Sequence, residues 1–271
     1  MSKRKRRKKE QRRKKLLEQK TKKSPFEKTK NPLAVFCAGS IGDPSWHPGV
    51  EIQNWLVIRG HTVTYNPSKA DIIVFAGGPD ISPSLYNQPK HYATRAYSPE
   101  RDFYEKNLAV LGKDTFKLGI CRGAQLLNVL SGGTMIQNIG NKRHLSPHAV
   151  RLIKEPQVFE RVTSTHHQMM VPSHKVSNRE ILAVTFNKTT GKDTLSASPH
   201  EKELPLPMAR NRLEFFAKRK MSDFDLMRQD AEIIYCNNTR SLCIQAHPER
   251  MLGSSFERYC FSLVEKYAAT K

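Results

Sequence analysis

The stretch FKLGICRGAQLLNVLSGGT, residues 116–134, decides the fold. Phe116 to Ile120 has the length of a buried strand, and beyond it Gly123, Leu126, Leu127 and Leu130 recur at i, i+3, i+4 and i+7, the stripe of a helix packed on a sheet. The strand hands over to the helix at a single residue, Cys121. A sulfur at such a turn stands at the sheet edge, where the unpaired amides and the positive end of the helix dipole favour thiolate over thiol. Gly119 and Gly123 relieve crowding on either side, and the backbone N–H of Arg122 is positioned to hold an oxyanion formed when the sulfur attacks a carbonyl.

Working outward, the same rhythm repeats. Leu33–Cys37 (LAVFC) reads as a first strand, Val50–Arg59 as a helix ended by Gly60, His61–Tyr65 as a second strand and Asp71–Phe75 (DIIVF) as a third. Ser98 can cap the next helix, Pro99 suits its first position, Glu100 and Asp102 complement its positive end, and Gly112 follows its last apolar residue. Strands alternating with helices predict an α/β fold, a mostly parallel sheet sandwiched by helices in the flavodoxin-like manner, with its ligand at the carboxyl ends of the strands. The second half offers strand-like pieces at 149–153, 181–186, 232–236 and 242–246, with a polar stretch at 188–230 read as a surface excursion or lid. A closing helix opens on a capping box, Ser254 with Glu257, and puts Phe256, Tyr259, Cys260, Leu263 and Tyr267 on one face.

Charge is distributed unevenly. The net charge is +21, and residues 1–30 hold sixteen Lys/Arg against three Glu. So few apolar side chains cannot repay the entropy of ordering, so residues 1–30 are expected to be a basic tail, disordered or a lone helix, and residues 31–271 the catalytic domain. Such a tail attracts polyanions by counterion release, which makes nucleic acid or an acidic protein surface its expected partner. The chain holds no apolar run long enough to span a membrane and no signal-peptide core, so the expectation is a cytoplasmic protein, with nuclear import open in a eukaryotic host. Five cysteines without a CxxC pair argue against a disulfide framework and a structural zinc site; Cys37, Cys236, Cys243 and Cys260 read as packing.

Two further segments complete a constellation around Cys121. In QAHPE, residues 245–249, His247 falls at the end of a strand, and the turn at Pro248 can return Glu249 to the imidazole. In AGGPD, residues 76–80, Gly77 and Gly78 permit a tight turn whose amide can serve as a second oxyanion donor. His144 and His148 straddle Pro147 and are not expected to share a metal. Adjacent His166 and His167 would alternate across a strand. There is no GxGxxG loop and no Walker loop, since both GK pairs are followed by Asp, so ATP chemistry is not expected.

GICRGAQLLN, the GGT at 132–134 and QAHPE together resemble the class I glutamine amidotransferases. GGPDISPSLY (77–86) and STHHQ (164–168) look most like the γ-glutamyl hydrolase branch, which includes the γ-glutamyl-γ-aminobutyrate hydrolases. EIIYCNNTRSLCIQAHPE is also similar to compact amidotransferase-like proteins of bacteriophage genomes. The resemblance implies Cys121 as nucleophile, His247 as general base, Glu249 as its orienter and the amides of Gly78 and Arg122 as oxyanion hole. It further implies that Gln125, Ser164, Thr165 and His166 hold the α-amino and α-carboxylate ends of a glutamyl group. The implied reaction is hydrolysis of a γ-glutamyl amide or glutamine through a γ-glutamyl thioester, with no metal or organic cofactor. Two alternatives stay open: an ammonia-supplying glutaminase subunit of a separate synthetase, and a nucleic-acid-associated binding protein on this scaffold. Ala76 stands where many hydrolase-branch members have proline, and Ala246 where tryptophan or glycine is common.

Overall fold

The computed structural model describes residues 26–38, 47–95, 97–139, 147–163, 165–185 and 230–270. The polar stretch at 188–230, apart from Asp230, lies outside the described residues, as do His144, Ser164 and the first 25 residues. Strands β1 (Ala34–Cys37), β2 (Thr62–Val63), β3 (Ile72–Phe75) and β4 (Phe116–Ile120) alternate with helices α1 (His47–Ile58) and α2 (Pro99–Leu111), and α3 (Arg122–Leu130) follows β4 at once. Among the described residues β5 (Thr134–Ile136) and β8 (Met169–Val171) form a separate ribbon. The other nine strands make one sheet in the order β2-β1-β3-β4-β11-β10-β9-β6-β7, where β6 is His148–Leu152, β7 Val158–Val162, β9 Arg179–Thr185, β10 Ala231–Cys236 and β11 Ser241–Ile244.

From β2 to β11 every pairing is parallel, and from β11 to β7 every pairing is antiparallel. Only β10 and β6 run against the other seven, so the sheet is mainly parallel, as the sequence predicts. The crossover helices explain the apolar runs: strands covered on both faces need no polar side. One face packs Ile52, Trp55 and Leu56 of α1 with Phe256, Cys260 and Leu263 of α4 (Ser255–Ala269), and the other packs Leu108 of α2 with Leu126 and Leu127 of α3.

The structure refines several expectations. The second strand shrinks from His61–Tyr65 to Thr62–Val63, because His61 turns inward, its Nδ1 accepting from the Leu33 amide at 3.2 Å, while Tyr65 lies exposed. β7, VFERV, carries two charges in five residues and has no apolar pattern to read; β5 and β8 are too short for one. The capping box forms on one side only. Ser254 Oγ accepts from the Glu257 amide at 3.0 Å, but the Glu257 carboxylate is drawn into the core by Trp55 Nε1 and Arg59, each at 2.7 Å. The expected tail boundary also moves. Thr29 N donates to Arg59 O at 2.7 Å and the Arg59 guanidinium lies 5.2 Å from the Phe26 ring centre, so Phe26–Lys30 run along the domain. No described helix is long and apolar enough to cross a membrane.

Candidate active site

Parallel pairing brings the ends of β3, β4 and β11 level, with Phe75 opposite Gly119 and Ile120 opposite Ile244. Cys121 follows β4 directly, its amide donating to Ile244 O at 2.8 Å and its carbonyl receiving Gln125 N at 3.1 Å. Its φ of 53° and ψ of −109° lie outside the favoured regions, a strain of about 1–3 kcal/mol that the surrounding packing must hold. That packing is backbone on backbone. A Cβ at Gly123 would sit 1.9 Å from Phe75 O, and one at Gly119 would sit 2.6 Å from Gly123 O. No other residue fits at either position without moving the helix.

His247 lies three residues beyond β11. Its Nδ1 donates to Glu249 Oε1 at 2.7 Å, and the ring also hydrogen-bonds the Cys121 side chain. Burial pulls the imidazole down, but the hydrogen bonds to Cys121 and Glu249 outweigh it and hold the ring up at about 10. It is therefore an imidazolium at neutral pH, the neighbour a thiolate requires. Glu249 is buried in the single turn Pro248–Arg250, which returns it to the ring. Sequence reasoning missed Thr163, whose hydroxyl accepts from His247 N at 3.1 Å and donates to His247 O at 3.4 Å, pinning the peptide that carries the imidazole. A lone threonine gives no sequence signal for that task.

The AGGPD loop flanks the sulfur. A Cβ at Gly77 would lie 3.3 Å from His247 Cε1 and 3.7 Å from Cys121 Cβ, and Gly78 has φ +145°, a conformation that favours glycine. Behind the loop lies a buried ionic network that the sequence did not reveal. Arg101 Nη2 donates to Ala76 O and Gly77 O at 3.1 and 3.2 Å, and its Nε donates to Glu105 at 2.8 Å. Arg122 is ion-paired to both Glu105 and Asp102, and Asp102 Oδ2 accepts from Ser82 N at 2.9 Å. Burial and the neighbouring Arg122 guanidinium pull Arg101 down to about 10, which leaves it charged at neutral pH.

The expected substrate-binding residues separate. Gln125 is buried, its Nε2 donating to Gln168 O and Gln245 Oε1, each at 3.3 Å, and His166 Nδ1 donates to the same Gln168 carbonyl at 2.8 Å. Thr165 is exposed and takes part in none of these hydrogen bonds. His166 and His167 do not sit on a strand, and His167 Nε2 is joined to Asp80 Oδ1 at 2.8 Å, tying this segment to the AGGPD loop. His148 lies elsewhere, buried against Glu232 at 2.9 Å. Among the described residues no group of three or more His, Cys, Asp or Glu is arranged to hold a metal ion.

This fold and these motifs have known relatives. The family model for Peptidase C26 matches residues 58–192. A glutamine amidotransferase-like protein of Lactococcus lactis subsp. cremoris, a YvdE homologue, is 36% identical over 99 residues, 36% of this chain and 50% of that protein. Protein NtpR of Enterococcus hirae is 30% identical over 121 residues, 37% of this chain and 51% of that one. The chain thus spans about half the length of these curated relatives. A crystal structure described as that of a GMP synthase subunit from Thermoplasma acidophilum superposes with a TM-score of 0.52 over 89% of this chain and 96% of that chain, at 12% identity, a likeness of fold alone. The matched model and the curated relatives together support the resemblance to the class I glutamine amidotransferase-like superfamily. Within it, the matched model is that of the C26 peptidases.

Proposed function

We propose that this protein is a cysteine-dependent hydrolase of γ-glutamyl amides, glutamine included. The observation that carries the reading is Cys121 on a strained strand-to-helix turn, hydrogen-bonded to a buried imidazole that Glu249 holds at 2.7 Å. The thiolate of Cys121 attacks the γ-carbonyl carbon, and the carbonyl π pair moves to oxygen, where the amides of Gly78 and Arg122 receive it. The imidazolium of His247 gives its proton to the departing nitrogen, ammonia or an amine leaves, and a γ-glutamyl thioester remains. Water, deprotonated by the now neutral imidazole, attacks the thioester and releases glutamate and the thiolate. Gln125 and His166, which meet at the Gln168 carbonyl, anchor the amino-acid end of the substrate, and glutamine itself fits the name of the Lactococcus relative.

Mass spectrometry after exposure to a diazo-ketone analogue of glutamine tests this reading. Labelling at Cys121 alone, blocked by L-glutamine, is the expected result; labelling elsewhere, or none, rejects it. A second reading is an ammonia-supplying subunit for a separate synthetase, favoured by the fold shared with a protein described as a GMP synthase subunit. It predicts weak glutaminase activity that rises when the partner is added. The basic segment before residue 26 would then serve as an attachment to the partner or to nucleic acid, weakening steeply with salt.

A further inference from the structure

The ionic network behind the AGGPD loop has no explanation in stability. Asp102, Glu105 and Arg122 are at most 2% exposed and Arg101 7%. Removing four charges from water is expensive, and apolar side chains of similar volume would pack the join between α2 and α3 at less cost. What the charges achieve is geometric. Arg101 binds the carbonyls of Ala76 and Gly77 together. The peptide that contains Gly77 C=O also contains Gly78 N–H, and in a trans peptide the two point in opposite directions. Fixing the carbonyl on the guanidinium side therefore aims the Gly78 amide away from it. The guanidinium leaves no room for a side chain there: a Cβ on Gly78 would lie 2.3 Å from Arg101 Nη1.

The second amide is tied to the same network. Arg122 is the first residue of α3, so its N–H has no partner within the helix. Its guanidinium is clamped between Asp102 and Glu105, one turn apart on α2, and Glu105 also holds Arg101. Asp102 further grips Ser82, at the far end of the loop that begins with Gly77. Both halves of the expected oxyanion hole are thus fastened to one face of α2.

We propose that Arg101, Glu105, Asp102 and the side chain of Arg122 form a positioning device that presents the Gly78 and Arg122 amides to the oxyanion, so that α2 acts in catalysis without touching substrate. The inference rests on the reading of Cys121 as the nucleophile. It requires that these residues matter only for steps in which a carbonyl oxygen gains charge. Alkylation of Cys121 by iodoacetamide is a displacement at saturated carbon and needs no oxyanion hole, whereas addition of the sulfur to glutamate γ-semialdehyde creates an oxyanion as amide hydrolysis does.

The test compares Arg101→Gln with the wild-type protein in three assays: γ-glutamyl amide hydrolysis, affinity for the semialdehyde and the rate of iodoacetamide alkylation. The expected result is a kcat lowered about 10- to 100-fold with KM within about 3-fold, semialdehyde affinity weakened by a like factor, and alkylation within about 2-fold of wild type. Arg101→Lys, which keeps the charge but not the fork that spans both carbonyls and Glu105, should recover part of kcat. If Arg101→Gln does not fold, Arg101→Lys and Ser82→Ala carry the same comparison, with an expected loss of about 3- to 10-fold in kcat alone. Parallel loss of hydrolysis and alkylation, a change confined to KM, or unchanged kcat overturns the proposal. A wild-type protein that is alkylated and takes up the semialdehyde, but hydrolyses no γ-glutamyl amide, would reject the proposed function while the semialdehyde comparison still decides this one. A wild-type protein that is alkylated but takes up no semialdehyde overturns the positioning role as well.

Discussion

The two halves of the sheet bury different kinds of side chain. From β2 to β11 the covered positions are held by residues such as Val35, Ile73, Val74, Leu118 and Ile244, with Lys117 and Ser241 as the polar exceptions at strand starts. From β10 to β7 the sheet buries His148, Arg151, Arg179, Thr185 and Glu232. The parallel half confines its polarity to strand ends, and the proposed catalytic pair Cys121 and His247 stands beyond two of them. The antiparallel half instead pairs buried charge across its strands, as in the His148–Glu232 pair at 2.9 Å, and places Arg151 inside one. Burying a titratable group therefore does not by itself make a reactive site; the group must also stand beside an open strand end.

Substitutions can break or sharpen this contrast. The largest effect is expected from Cys121→Ala, which should lower γ-glutamyl amide turnover by at least about 10,000-fold while leaving the melting temperature nearly unchanged, read by steady-state kinetics and calorimetry. Next, Glu249→Gln removes the charge that orients and supports His247 and should lower kcat about 100- to 1,000-fold. It also changes the response to pH. His247 is held above its unfolded value of 6.5, at about 10, so its pairing stabilises the fold fully below pH 6.5, and that contribution is lost as pH rises through 10. In Glu249→Gln the loss should begin at lower pH, seen in chemical denaturation between pH 6 and 10.

On the other half, Glu232→Gln leaves a buried His148 without its carboxylate and should cost about 3 kcal/mol of stability, with turnover per folded molecule close to wild type. A fall in kcat with stability intact would show that the two halves are not separable. The smallest effect is expected from Tyr267→Phe, which deletes the 2.8 Å hydrogen bond to Glu180 and should cost about 1 kcal/mol by urea denaturation, with no change in kcat.

The same contrast governs what the sequence made legible. LAVFC, DIIVF and the strand-to-helix turn at Cys121 were readable because helices cover both faces and leave one hydrophobic signal. Even Lys117 did not spoil it, since its ammonium reaches the strand end and donates to the carbonyls of Lys113, Thr115 and Thr239 at 3.1, 2.9 and 2.8 Å. VFERV carried no such signal, and the partners of Glu232 and His148 lie 84 residues apart in the chain, a separation no local pattern encodes. Cys121 stood out after one punctuated strand end, and His247 with Glu249 after another. The network of Arg101, Asp102, Glu105 and Arg122 was not, because on a helix those residues look like an ordinary solvated face. Thr163 left no trace for a different reason: its task is set by a fold contact with His247, 84 residues away in the chain.

Gly123 carries one more consequence. Helix α3 meets strand β3 main chain to main chain, closer at that point than any side chain would allow. The distance from the Cys121 backbone to the neighbouring AGGPD loop is therefore a ruler made of covalent bonds and peptide planes, with only the cysteine's own χ1 left to turn. Core substitutions elsewhere can soften or stiffen the molecule, but they have no adjustable spacer through which to retune the reach of the nucleophile. Under the proposed function, any preference among amides is then set in the surrounding loops, while the jaw itself keeps one gauge.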